Sequence, residues 1–182
     1  MSTNLRLAER LRELRRARQW SLDELAALSG VSRASLSRIE NGDVSPTAAV
    51  LGRLAGAHGS TVSRLLADIE AEAPALIARA NQPEWVDRAT GFRRRLISPP
   101  SLDFDCEMLS CELPPGASID YPLPPRLGLE HHLYLEDGVL ELTIQGKAYR
   151  LSAGDCLRYK LMGASRFRAA GRRAARYILV LR

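Results

Sequence analysis

Six consecutive-to-near residues, Ser32, Arg33, Ala34, Ser35, Ser37 and Arg38, have the types and spacing to read a nucleic acid. Counted along a helix that starts at Ser32, they fall on or near one solvent face, while Leu36 and Ile39 fall on the other. Arginine carries a forked, always-charged set of donors that can grip guanine O6 and N7 in the major groove, and an alanine methyl can touch a thymine methyl. Ser32 and the unpaired N–H groups at a helix start suit a phosphate. An ordinary helical hairpin with a solvated arginine face would show the same residues at the same spacing.

Such a helix needs a partner to hold it. Upstream, Ser21 can cap the N–H groups of a first turn, and Glu24, three residues on, can reach back in a capping box. Leu22, Leu25, Ala26 and Leu28 mark the buried face of this helix, and Gly30 can take the left-handed conformation that ends it. Asn41-Gly42 ends the second helix. Two short helices joined by three or four residues make a helix-turn-helix.

The stretch SLDELAALSGVSRASLSRIENG, residues 21–42, resembles the phage-repressor (XRE-type) helix-turn-helix family. The resemblance implies a five-helix DNA-binding domain over residues 1–69. It implies base-reading positions at Arg33, Ala34 and Arg38, with Ser21, Ser32 and Ser37 toward the DNA backbone. It also implies an ion pair between Arg15 and Glu40 beneath the motif.

The chain has 182 residues, 46% of them hydrophobic, enough for one large or two small cores, and its net charge of +5 suits a polyanion partner without being extreme. No run is long enough to span a bilayer, and the start has no signal-peptide apolar region, so a soluble cytoplasmic protein with no membrane partner is expected. Cys106, Cys111 and Cys156 form no CxxC pair and read as free thiols.

The first helix is expected over 4–18, with Leu5, Ala8, Leu11 and Leu14 inward. Arg6, Arg10, Arg12, Arg16 and Arg18 form either a phosphate-facing stripe or a solvated face. Trp20 reads as a packing anchor. Pro46 or Thr47 opens a fourth helix with Val50, Leu51, Leu54 and Ala55 buried, which Gly56 to Ser60 breaks. Ser60 or Thr61 caps a fifth, with Val62, Leu65, Leu66 and Ile69 inward; His58 is expected to be solvated or capping in the connecting turn. Residues 70–91, Ala-rich and punctuated by Pro74, Pro83 and Gly91, read as a linker.

From Phe92 the apolar period changes from 3.6 to 2. Leu102, Phe104, Cys106 and Met108 alternate with polar residues, as do Leu140, Leu142 and Ile144, and an apolar run closes the chain from Tyr177 to Leu181. Turn signals at Pro114-Pro115-Gly116, Asp137-Gly138, Gln145-Gly146 and Ala153-Gly154-Asp155 separate these runs. Short strands at this spacing predict a barrel or sandwich over 92–182.

Residues 130–159, EHHLYLEDGVLELTIQGKAYRLSAGDCLRY, resemble the cupin family. The fold class implied is α+β multidomain: an all-α five-helix domain, then an all-β cupin-like barrel of jelly-roll form. Where metal-binding cupins place ligands, this chain has residues near Pro124, Arg126, His131 and Ser165. No metal or other cofactor is therefore expected. His131 and His132 are adjacent on a strand and face opposite sides; by parity with His131, Leu133 and Leu135 point inward. A metal-free barrel can still enclose a small molecule. Tyr121, Arg126, His131, Tyr149 and Tyr159 are the candidate pocket contacts, with Arg126 suited to a carboxylate.

Fusion of these two parts resembles a group of bacterial regulators whose barrel senses a metabolite and helps to dimerise the protein. The function expected is a non-enzymatic, sequence-specific transcription regulator. Its partners would be double-stranded DNA with a pseudo-palindromic operator, a carboxylate-bearing effector and a second copy of itself. The alternative is a cupin metalloenzyme, epoxidase- or oxygenase-like, with an accessory helix-turn-helix domain.

Overall fold

A computed structural model describes residues 3–66, 74–100, 104 and 106–182. Ile69 and Leu102, both expected to point inward, lie outside these. Five helices come first: α1 (Thr3–Ala17), α2 (Leu22–Ser29), α3 (Arg33–Glu40), α4 (Ala48–His58) and α5 (Val62–Leu66). Ser21 and Glu24 form the expected capping box, and Gly30, at φ 66°, closes α2 with its N–H on the Ala26 carbonyl. Ser32 caps α3 through the Ser35 N–H, and Thr47 caps α4 through the Val50 N–H. The Thr61 hydroxyl accepts from the Arg64 N–H at the start of α5.

Several helical positions differ from expectation. The inward stripe of α1 is Leu7, Ala8 and Leu11, with Leu14 packed against the same core, whereas Leu5 is exposed. On α2 the last inward position is Ser29, whose hydroxyl back-bonds to the Leu25 carbonyl, and Leu28 is exposed. Gly56 does not break α4; the helix runs on to His58 and ends at Gly59, φ 62°. His58 is consequently buried, tilted against Trp20 at 5.2 Å between ring centroids.

The rest is antiparallel β: β1 (Glu84–Val86), β2 (Arg93–Ser98), β3 (Glu107–Leu113), β4 (Ser118–Tyr121), β5 (Leu129–Asp137), β6 (Val139–Ile144), β7 (Lys147–Ser152), β8 (Cys156–Leu161), β9 (Ser165–Ala169) and β10 (Ala175–Leu181). They form a six-stranded sheet in the order β1-β2-β3-β10-β5-β8 and a four-stranded sheet in the order β4-β9-β6-β7. This is the two-sheet, cupin-like jelly roll. Strand β1 falls inside the stretch expected to be a linker, where Trp85 is buried. At Gly138, the expected turn between two strand runs, the chain leaves one sheet for the other. A Cβ there would stand 2.4 Å from the Ala174 carbonyl oxygen, so only glycine fits.

The parity of β3 is the reverse of the apolar alternation. Phe104, Cys106 and Met108 are exposed, and the inward face is Glu107, Leu109, Cys111 and Leu113. Glu107 is carried inward because α5 meets it. Its carboxylate accepts from the Thr61 hydroxyl at 3.0 Å and pairs with Arg64 at 3.3 Å. A buried carboxylate is tolerated when paired and hydrogen-bonded in this way.

The helical and β parts are joined through α4 and α5. Besides Glu107, Asp87 accepts from the Ala48 N–H at 2.9 Å. Gly52 of α4 lies against the Tyr121 ring, where a Cβ would approach to 2.7 Å.

Candidate nucleic-acid interface and barrel cavity

Helix α3 is held from below and open above. Leu36, Ile39 and Glu40 are buried, whereas Ser32, Arg33, Ala34, Ser35 and Arg38 are exposed and Ser37 is half-buried. Ser21, at the start of α2, is exposed as well. The Ser32 and Ser35 hydroxyls bond at 2.8 Å, and Arg33 rests 3.3 Å from Asp23 of α2 in a surface pair that costs little to break. The helix is fixed from α1. Arg15 grips Glu40 with two bonds, Nε to Oε1 at 2.7 Å and Nη2 to Oε2 at 2.8 Å, and also donates to the Trp20 carbonyl. Arg12 donates to the Glu40 carbonyl and to Asn41 Oδ1, both at 2.7 Å. Arg12 is thus committed to holding α3 and does not belong to a free arginine stripe.

The second site is inside the barrel. A cavity of about 50 Å³ lies between the sheets, walled by Arg94, Cys111, His131 and Tyr177 among others and roofed by Gly52, Thr61 and Val62 of the helical part. His131 is one of the inward residues of β5, paired across to Tyr159 of β8, and its Nδ1 lies 2.9 Å from the Tyr159 hydroxyl. Its other nitrogen, Nε2, is buried with no partner among the described residues. Burial, helped by the nearby Arg94 charge, pushes this imidazole down to about 3, so it is neutral at physiological pH. Burial likewise pushes the Cys111 thiol up to about 11 and the Tyr121 hydroxyl up to about 12, so neither ionises in the cell.

Among the expected pocket contacts, Tyr121 and His131 line the cavity, and Tyr159 stands behind His131 and orients it. Arg126 does not reach it. It is exposed in the 122–128 loop, because this loop turns outward past α4 instead of continuing a strand. Tyr149 is not among the lining residues; it lies half-buried on β7, an outer strand of its sheet, with the Lys147 ammonium 5.0 Å from its ring centre. The residue that sequence reasoning missed is Arg94. In the run Arg93-Arg94-Arg95 the outer two reach Glu84 on β1, and the middle one points inward. Strand parity within that run was the available signal.

The cavity does not fit a metal ion. Among the described residues no three His, Cys, Asp or Glu side chains are grouped to hold one. The guanidinium in the cavity wall also repels a cation.

The fold and the exposed, capped α3 define a helix-turn-helix protein with a cupin-like barrel, and comparison with known proteins agrees. Residues 11–65 match the helix-turn-helix family model. The chain is 29% identical over 153 residues to the HTH-type transcriptional regulator SutR of Escherichia coli, covering 84% of this chain and 81% of that one. An HTH_3 family transcriptional regulator from Vibrio cholerae has the same fold over 98% of this chain and 95% of its own, with a TM-score of 0.80 at 22% identity. The Fe(II) form of HppE superposes more loosely over the full length of both chains, with a TM-score of 0.52 at 18% identity. Residues 11–65 are thus an XRE-type helix-turn-helix domain, followed by a cupin-like barrel, and the chain as a whole is similar to HTH-type transcriptional regulators.

Proposed function

We propose that this protein is a dimeric, sequence-specific regulator whose barrel binds a small metabolite and thereby changes its affinity for DNA. The observation that carries the reading is the geometry of α3. Arg33, Ala34 and Arg38 are exposed on a helix that is capped at both ends and pinned by Arg15, while the docking to the barrel uses α4 and α5. Arg33, Ala34 and Arg38 are the base-reading candidates, and Ser21, Ser32 and Ser37 the backbone contacts.

A dimer suits such a domain because two copies double the phosphate contacts and read half-sites about one helical turn apart. The outer face of the six-stranded sheet supports it. There Met108 lies opposite Val180, and Ile178 opposite Tyr134, forming an apolar strip across β3, β10 and β5 that a second copy would cover.

Selection of sheared genomic DNA on the purified protein at moderate salt, followed by sequencing, tests the reading. An enriched inverted repeat is expected; enrichment no better than for random fragments would reject it. A metalloenzyme has the looser fold likeness to HppE on its side, but among the described residues the cavity has no two-histidine, one-carboxylate set of the kind that iron chemistry needs.

A further inference from the structure

We infer that the barrel cavity is a site for a small oxyanion, held between Arg94 and His131, and that Ser63 of α5 makes its occupancy felt by the DNA-binding half. The inference rests on the proposed role of the barrel as a sensor and names the chemistry of what it senses.

Arg94 is 8% exposed, and its one side-chain hydrogen bond is to the Ser63 hydroxyl at 3.3 Å. Its Nε is buried without a partner, and no carboxylate among the described residues lies within ion-pair distance. The neighbouring arginines all have acids: Arg93 and Arg95 share Glu84, and Arg64 has Glu107. A buried guanidinium without an ion-pair partner is costly, and an anion bound beside it would offset that cost. Its charge is felt by Cys111, Tyr121, His131 and Tyr177, all of which line the same cavity.

His131 supplies the second donor. In the tautomer in which the Tyr159 hydroxyl donates to Nδ1, the hydrogen sits on Nε2, which is buried and has no partner among the described residues, and a bound anion selects that tautomer. A forked cation and a neutral N–H facing one small space make a binding site for two oxygens of one anion. The cavity, about 50 Å³, has room for a few water-sized groups, so a short carboxylate or a sulfate-like anion fits beside Gly52, Thr61 and Val62. An anion also draws the guanidinium away from Ser63, and so loosens one of the contacts that seat α5 on the barrel.

The test uses the full chain in chloride buffer at fixed ionic strength, titrated with acetate, pyruvate, sulfate and phosphate while thermal stability is followed. At least one of these is expected to raise the melting temperature saturably, by about 2.7 kcal/mol in stability at 100 times its dissociation constant. Arg94→Gln and His131→Gln should each weaken that response at least tenfold, and Arg126→Gln should leave it unchanged. No saturable response, or one that survives Arg94→Gln, overturns the site. Arg94→Gln removes an unpaired buried charge and so should fold at least as well as the parent, and His131→Gln gives an independent readout. The same anion is then added to a DNA-binding titration. A shifted affinity supports the site together with the sensor reading; binding with no change in DNA affinity keeps the site and rejects the coupling to Ser63.

Discussion

Asp87 of the barrel caps a helix of the DNA-binding half: its Oδ2 accepts from the Ala48 N–H at 2.9 Å, in the first turn of α4. Its Oδ1 accepts from the Ala89 N–H, also at 2.9 Å, so a single carboxylate shapes its own loop and anchors a distant helix. Asp87 is 2% exposed. Asp87→Ala leaves the Ala48 N–H buried and unpaired and should cost about 1–3 kcal/mol. Urea denaturation measures it, and Asp87→Asn, which keeps one acceptor, should recover part of the loss.

Glu40 and Arg15 form a largely buried bidentate pair beneath α3, with side chains 5% and 13% exposed. Glu40→Ala strands the guanidinium and should destabilise the protein by about 3 kcal/mol. Replacing both partners with apolar residues of similar volume should cost much less. A double-mutant cycle in urea reads the difference.

On DNA, Arg33→Ala and Arg38→Ala are each expected to cost about 1–3 kcal/mol on the selected operator and to relax its sequence preference. Equal losses on operator and random DNA would reassign them to phosphate contacts.

His131 gives stability a pH dependence. The folded imidazole is pushed down to about 3, whereas in the unfolded chain it titrates near its ordinary value of about 6.5. Below that value the unfolded chain takes up a proton that the folded chain refuses. Stability is therefore full above pH 6.5 and falls as the pH drops toward 3, by about 2 kcal/mol at pH 5. His131→Gln should remove this part of the slope, measured as the difference between the two proteins in urea midpoints from pH 7 to pH 5.

Tyr134→Glu places a charge in the middle of the apolar strip on the outer sheet face. It should shift sedimentation from dimer to monomer and leave the thermal stability of the monomer within about 0.5 kcal/mol.

Local chemistry made the motif legible. The Ser21–Glu24 box, the Gly30 turn and the Ser32 cap are short-range interactions written in adjacent residues, and all of them form. The parity of β3 was not legible, because Glu107 turns inward only to meet Thr61 and Arg64, 46 and 43 residues away. Arg126 looked suited to the pocket by its place in the resemblance, but a loop with Pro122, Pro124 and Pro125 carries it out to solvent. Arg94 was hidden in a run of three arginines, where charge suggests a surface and only the strand period says otherwise. Residues positioned by the other half of the molecule are the ones that a reading along the chain misses.

The roof over the barrel has a consequence for recombination between regulators. Gly52, whose missing side chain makes room for the Tyr121 ring, belongs to the helical half, yet its shape is dictated by the barrel. Exchanging barrels among relatives by cutting in the 67–73 segment would set a foreign α4 and α5 over the cavity, without the matching glycine or the hydroxyls of Thr61 and Ser63. The structural seam of this protein runs through the helical bundle, in front of α4, and a chimera that keeps α4, α5 and the barrel together is the one that inherits an intact cavity wall.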